Sequence, residues 1–188
     1  MLEELTDHIM DIAMNSVRAG SRNIHISVMN RASARELAVS IVDDGSGMDA
    51  DTVKSVTDPF FSTKEGRRVG LGVPLLKGAT ETCDGRFHLK SMPGEGTEIE
   101  AIFPLDNPDV PPLGNVREAI LLLCVTNPEV RFSFRSNIDG NEFEFDTKEI
   151  NDVLGGLPIN HPEVVTFLTH YIEGNHDKKK REVAPVRE

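Results

Sequence analysis

The sequence predicts an α+β fold: a mostly antiparallel mixed sheet covered by helices on one face, followed by a small α+β appendage. Three observations carry this. A stripe of apolar residues at helical spacing opens the chain, period-2 apolar runs follow it, and a cluster of prolines separates a second, shorter set of elements.

Residues 1–20 read as one helix. Leu2, Leu5, Ile9, Ile12, Ala13 and Ser16 recur three and four apart, while Asp7, Asp11 and Asn15 form a polar stripe that Arg18 extends. Gly20 stands where a left-handed cap ends such a helix. Ile24, Ile26 and Val28 then alternate with His25, Ser27 and Met29, and Leu37, Val39 and Ile41 with Ala38, Ser40 and Val42. Both are strands, joined by the polar loop 30–35. Residues 49–56 form a short helix, with Asp49 or Asp51 near its N-terminus. Residues 57–70 are turn-rich and charged and read as a loop. Residues 71–83 return to helix, with Pro74 tolerable in the first turn. Strands at 86–91 and 97–103 flank the turn 92–96.

Pro104, Pro108, Pro111 and Pro112 mark residues 105–114 as a linker. The expected organisation is therefore a first domain over 1–104, this linker, a small α+β domain over 115–174 and a charged flexible tail over 175–188. Within the small domain the pattern gives a helix at 116–125, a hairpin of 130–135 and 142–145 around Asp139-Gly140, and a helix at 162–173. Phe132, Phe134, Phe143 and Phe145 give that hairpin an aromatic face, which core packing and a dimer contact explain alike.

The chain has 188 residues with 31 acidic and 20 basic side chains, a net charge of −11. That balance argues against a nucleic-acid partner. The longest apolar run, 119–125, is far shorter than the roughly 20 residues a membrane helix needs. No secretory signal is visible at the start, so a cytoplasmic location is expected. The two cysteines, Cys83 and Cys124, cannot make a disulfide framework or a thiolate metal site and read as buried thiols. His8 reads as a partly buried structural histidine.

Three segments carry chemistry. Asp11 and Asn15 stand one helical turn apart on one face. The amide oxygen of Asn15 suits Mg2+, and a carboxylate one turn away suits proton abstraction; taken alone, the pair is better explained as a solvated polar face. Asp43-Asp44-Gly45-Ser46-Gly47-Met48 ends a hydrophobic strand with two glycines. A flat ligand could approach the backbone there while Asp43 accepts from an exocyclic amine, although a simple hairpin turn also uses Asp-Gly. A dinucleotide fingerprint fails for want of its third glycine and long helix. An EF-hand loop fails because Lys54 falls where its last glutamate is required. Val69-Gly70-Leu71-Gly72-Val73 opens a helix whose N-terminal amides suit phosphate, with Lys64, Arg67 and Arg68 nearby in sequence. It is not a Walker A loop.

In this order and at these spacings the sequence resembles the GHKL superfamily of ATPases, which includes gyrase-type topoisomerases, heat-shock chaperones, sensor histidine kinases and mismatch-repair ATPases. Residues 11–21 resemble the N-box, residues 43–48 the first glycine box, and Asp58-Pro59-Phe60-Phe61-Ser62-Thr63-Lys64 the F-box of histidine kinases. Gly70-Leu71-Gly72-Val73, Gly85 and Gly94-Glu95-Gly96-Thr97 resemble the second glycine box and closing strand pair. The resemblance spans residues 1 to about 104.

It implies a Bergerat-type α/β sandwich with a Mg-ATP site between sheet and helices. By similarity, Asn15 ligates Mg2+, Asp43 receives the adenine amino group, and Gly45 and Gly47 admit adenine, with Met48 in the same box. Thr97 supports the adenine-side water network. Gly70, Leu71 and Gly72 cradle phosphates beneath a mobile loop at 62–70 that carries Lys64. Arg18 stands where a phosphate-contacting lysine is common, and Asp11 where a general-base glutamate stands. Two departures matter: Asp11 is one methylene shorter than glutamate, and Arg68 replaces the first glycine of the fuller box.

No histidine-bearing dimerisation helix precedes these motifs in the chain. The expectation is therefore a signalling or regulatory protein kinase that acts in trans on a partner's His or Ser. The alternative is an ATPase or ATP-gated interaction switch, or a nucleotide-binding pseudoenzyme if Asp11 falls short. A homodimer is compatible with either, and no membrane partner is expected.

Overall fold

The computed structural model describes residues 4–57 and 72–182, with side chains as far as residue 172. The first helix, α1, spans Leu5–Arg18 and leads into β1 (Asn23–Arg31) and β2 (Glu36–Asp43). Two helices, α2 (Ala50–Val56) and α3 (Gly72–Thr82), precede β3 (Arg86–Met92) and β4 (Gly96–Pro104). The chain continues through α4 (Val116–Thr126), β5 (Arg131–Ile138), β6 (Asn141–Asp146), α5 (Thr147–Leu154) and α6 (Pro162–Glu182).

One six-stranded mixed sheet organises the molecule, in the order β3-β4-β2-β1-β5-β6. All neighbouring pairs are antiparallel except β1 and β5, which run parallel with Ile24 opposite Phe132 and Ile26 opposite Phe134. The α+β class and the mixed, mostly antiparallel sheet are as the sequence predicts. Its C-terminal hairpin continues the sheet beyond β1, so strands on both sides of the 105–114 segment share one ladder and one core.

The alternation in β1 explains the layer arrangement. Ile24, Ile26 and Val28 are at most 1% exposed, whereas Asn23 and His25 on the opposite face are exposed. Leu5, Ile9, Ile12 and Ala13 of α1, Val73 and Leu76 of α3, and Ile120 and Leu123 of α4 pack on the apolar face. All four hairpin phenylalanines are buried there too. The Phe134 and Phe143 rings meet at 6.0 Å, and the Arg117 guanidinium lies 4.4 Å from the Phe143 centroid. Core packing is thus their role. The uncovered face carries cross-strand ion pairs instead, among them Arg86 with Glu36 and Arg131 with Asp146.

The N-terminus of α1 is held from outside the helix. The first amides of any helix lack intrahelical acceptors. Here the Leu5 and Thr6 N–H groups donate to the carbonyls of Pro112 and Leu113, at 2.9 and 3.0 Å, and the Thr6 hydroxyl donates to Leu113 as well. Gly114 follows with a φ of +78°, and a Cβ there would strike Glu4 and Thr6.

Local differences from the sequence reading are few. Asp49 caps α2 by accepting from the Thr52 amide at 2.7 Å, which settles which aspartate does so. Residues 147–154, which the pattern did not mark, form α5, capped by Asp146 and ended by a left-handed Gly155. The last helix runs to Glu182, past the tail boundary at 175, because Lys178-Lys179-Lys180-Arg181 consists of residues compatible with helix. Among the described residues, no helix is long and apolar enough to cross a membrane.

Because β5 is packed through the shared core, Phe132→Ala is expected to cost about 3–5 kcal/mol. Urea unfolding should show one transition shifted as a whole, whereas Val153→Ala, at an 86% exposed position, should stay within about 0.5 kcal/mol of the parent.

Candidate functional site

Asp43 ends β2 with its side chain turned to the covered face, 9% exposed, opposite Ile24 of β1 and Thr97 of β4. A carboxylate so placed needs donors. The Ser16 hydroxyl donates to Oδ2 at 2.6 Å, the Ser21 hydroxyl to Oδ1 at 3.1 Å, and the Gly45 N–H to Oδ1 at 2.9 Å. A carboxylate offers about four acceptor positions. Among the described residues, both on Oδ1 are filled and one on Oδ2 is left to accept a further donor.

The surrounding loop is built to hold this group. Asp44 points the other way and accepts from the Arg22 and Asn23 amides, each at 2.8 Å, and from the Asn23 side chain at 2.7 Å. Partial burial pushes its carboxyl up, but these hydrogen bonds together outweigh it and hold the group below the usual carboxylate range. Residues 21–23 are thereby tied to the end of β2, which puts Ser21 in reach of Asp43. A Cβ on Gly45 would lie 2.6 Å from Ser21 Oγ and 3.0 Å from Asp43 Oδ1. Gly47 has a φ of +63°, and a Cβ there would strike the Met92 carbonyl. Both glycines thus permit close approach of the protein's own groups. The Met48 amide donates to Ser91 Oγ at 2.9 Å, and Ser91 in turn meets Thr97 Oγ1 at 3.0 Å.

Along α1 the other sequence-marked residues follow within one turn. Asn15 precedes Ser16, and its Oδ1 accepts from Arg18 Nη1 at 2.9 Å. Asp11, one turn earlier, lies against the first residue of α3: a Cβ on Gly72 would collide with the Asp11 carboxylate. The α3 N-terminus, with its outward amides and positive dipole end, is thus beside Asp11. α1 therefore connects Gly72, Asp11, Asn15 and, through Ser16, Asp43. Lys64, Gly70 and Leu71, with the F-box-like stretch 58–64 and the 62–70 loop, lie outside the described residues.

Sequence reasoning missed Ser16 and Ser21 as site residues. Ser16 was readable only as a small member of the apolar stripe. The available signal was its hydroxyl: a serine on a buried stripe must find an acceptor, and besides the Ile12 carbonyl one turn back, at 3.3 Å, it finds Asp43. His8, on the same helix, is 3% exposed, with Nδ1 unpartnered.

The family described as Histidine kinase-, DNA gyrase B-, and HSP90-like ATPase matches residues 1–107. Sporulation kinase C of Bacillus subtilis is 28% identical over 102 residues, which are 54% of this chain and 24% of that protein. The signal transduction histidine-protein kinase AtoS of Escherichia coli is 32% identical over 105 residues, 55% of this chain and 17% of AtoS. The chain thus spans about a quarter or less of these relatives. Among solved structures, the MutL ATPase domain of Aquifex aeolicus, in complex with ADP, superimposes with a TM-score of 0.53 at 18% identity. That match covers 82% of this chain and 70% of the MutL domain and concerns the fold.

Burial outweighs the nearby Asp7 and Asp11 charges and holds the His8 imidazole below its ordinary value. On acidification the unfolded chain takes up that proton first, so stability is expected to fall as the pH drops below about 6.5. His8→Leu should flatten the urea midpoint between about pH 6.5 and 5, above the range where the carboxylates titrate.

Proposed function

This chain belongs to the histidine kinase-, DNA gyrase B- and HSP90-like ATPase family, and from that premise we propose that it binds Mg-ATP in the cytoplasm and transfers the γ-phosphoryl group to a partner protein. The observation that carries the reading is the acceptor position on Asp43 Oδ2 that no described residue fills, beside a glycine-tight loop at the end of β2. An adenine amino group is a donor that fits it; guanine bound in the same pose would turn its O6 toward the carboxylate.

The further roles are assigned to residues of α1 and to the first residue of α3. Asn15 supplies an amide oxygen, the hard donor that Mg2+ prefers, and Mg2+ draws most of its remaining ligands from phosphates and water. When bound, the ion supplies neutralisation of phosphate charge. The donor set fits, with one consequence: the Arg18 guanidinium that now holds Asn15 Oδ1 must give up that oxygen, and is then free to contact phosphate. Gly72 opens α3 with amides directed at an anion. Asp11 accepts the proton from the partner's attacking His or Ser as the new bond to γ-phosphorus forms and the bond to the β-bridging oxygen breaks, releasing ADP.

A second reading, an ATP-gated interaction switch, is favoured by one observation. The carbonyls of Pro112 and Leu113 cap α1, so a change in that helix is felt directly by the C-terminal elements.

Incubation with ATP labelled at the γ-phosphate, with and without candidate partners, separates the readings: label on a partner supports the kinase, free phosphate an ATPase, and neither a switch. Asn15→Ala should weaken Mg-ATP binding at least tenfold in a fluorescent-nucleotide titration; equal binding rejects the metal assignment. Asp11→Asn should keep binding and lower turnover about 100-fold or more. Unchanged turnover rejects Asp11 as base.

A further inference from the structure

Between α1 and α4 runs a cleft of about 590 Å³. Its floor is apolar and adaptable: Met10 and Met14 come from α1, and Leu122, 52% exposed, comes from α4. Among the described residues its rim is acidic, with Glu4, Asp7, Asp11 and Glu118 set against the single cation Arg18. Two of those residues, Asp11 and Arg18, also belong to the nucleotide site proposed above. The cleft therefore opens onto the atoms assigned to phosphoryl transfer. Its second wall, α4, lies beyond residues 1–107, the part of the chain matched to the family.

We propose that the α1–α4 cleft is the docking groove for the protein substrate, and that the docked segment is a basic amphipathic helix with aliphatic or aromatic side chains on one face and Lys or Arg along its flanks. The surface chemistry selects this occupant. Both walls are helices, which present no strand edge, so an extended strand would find no ladder to join, whereas a third helix can lay an apolar stripe on the methionine floor. The acidic rim complements Lys and Arg and opposes an acidic partner. A second copy of this chain is disfavoured on the same ground: a two-fold contact sets the same patch against itself, which here places four carboxylates opposite four in a chain of net charge −11. The inference rests on the kinase reading for the purpose of docking, while the groove itself is testable without it.

The test uses a fluorescein-labelled Leu/Lys amphipathic peptide of about 18 residues, or roughly five turns, and its Leu/Glu counterpart. Fluorescence anisotropy is read on the full chain with and without Mg-ATP. The basic peptide should bind and the acidic one should not. Leu122→Asp and Glu118→Lys should each weaken binding about tenfold or more, while Glu149→Lys, an equal charge change away from the cleft, should leave it unchanged. Fluorescent-nucleotide binding should stay at the parent level in all three variants, which also reports that they fold. Equal binding of both peptides, or a loss shared by Glu149→Lys, overturns the proposal. So does a parent dimer in sedimentation equilibrium that Leu122→Asp splits into monomers, because the occupant is then a second copy. If the chain fails to bind nucleotide but the peptide pattern holds, the groove stands and the nucleotide reading falls.

Discussion

A carboxylate withdrawn from water at the end of a central strand must be answered by donors, and the way Asp43 is answered sets the geometry around it. Ser16 reaches it from α1, Ser21 from the turn after that helix, and Gly45 from the backbone just beyond. These three contacts fix the distance between α1 and the end of β2. They also explain why residue 45 has no side chain, since any Cβ would enter the space where Ser21 and Asp43 meet. Asp44 completes the arrangement from outside by clamping residues 22 and 23. Neighbouring aspartates thus do opposite work, one inside as acceptor of donors from two elements and one outside as a clasp.

The same helix that answers Asp43 is the element through which distant parts of the molecule meet. Its buried face supplies Leu5, Ile9, Ile12 and Ala13 to the core, its N-terminal amides are satisfied by the 112–113 segment, and Asp11 abuts the start of α3. A helix held at both ends and along one face is a poor place for independent motion. Displacement of α1 is coupled to the 105–114 segment and to α4. This gives the C-terminal elements a physical route to the side of the fold that carries Asp11, Asn15 and Asp43.

Much of the fold was legible locally. The alternation of Ile24, Ile26 and Val28 marks one face of β1 as buried, and the burial of those residues follows it. Asp139-Gly140 marks the β5–β6 turn, where both residues take positive φ. The motifs around Asp11, Asn15 and Asp43 were visible as residue types at fixed spacings. Less was legible where the pattern was short or mixed. The eight-residue α5 offers only three apolar positions, Ile150, Val153 and Leu154, whose helical spacing is easily passed over in so short a segment, and Ser16 is concealed in a stripe whose other members are hydrocarbon.

By itself the sequence determined which face of each element is apolar, where the turns fall and which side chains can accept an amine, bind a metal or take a proton. Those are properties of a few neighbouring residues and their periodicity. Only the tertiary structure decided that β5 runs parallel beside β1, that two serines occupy three-quarters of Asp43 together with an amide, and that α4 lies along α1 to form an acidic, methionine-floored cleft. A periodic pattern states that a face must be covered but not by what, because many apolar surfaces satisfy the same burial and only the path of the whole chain selects one.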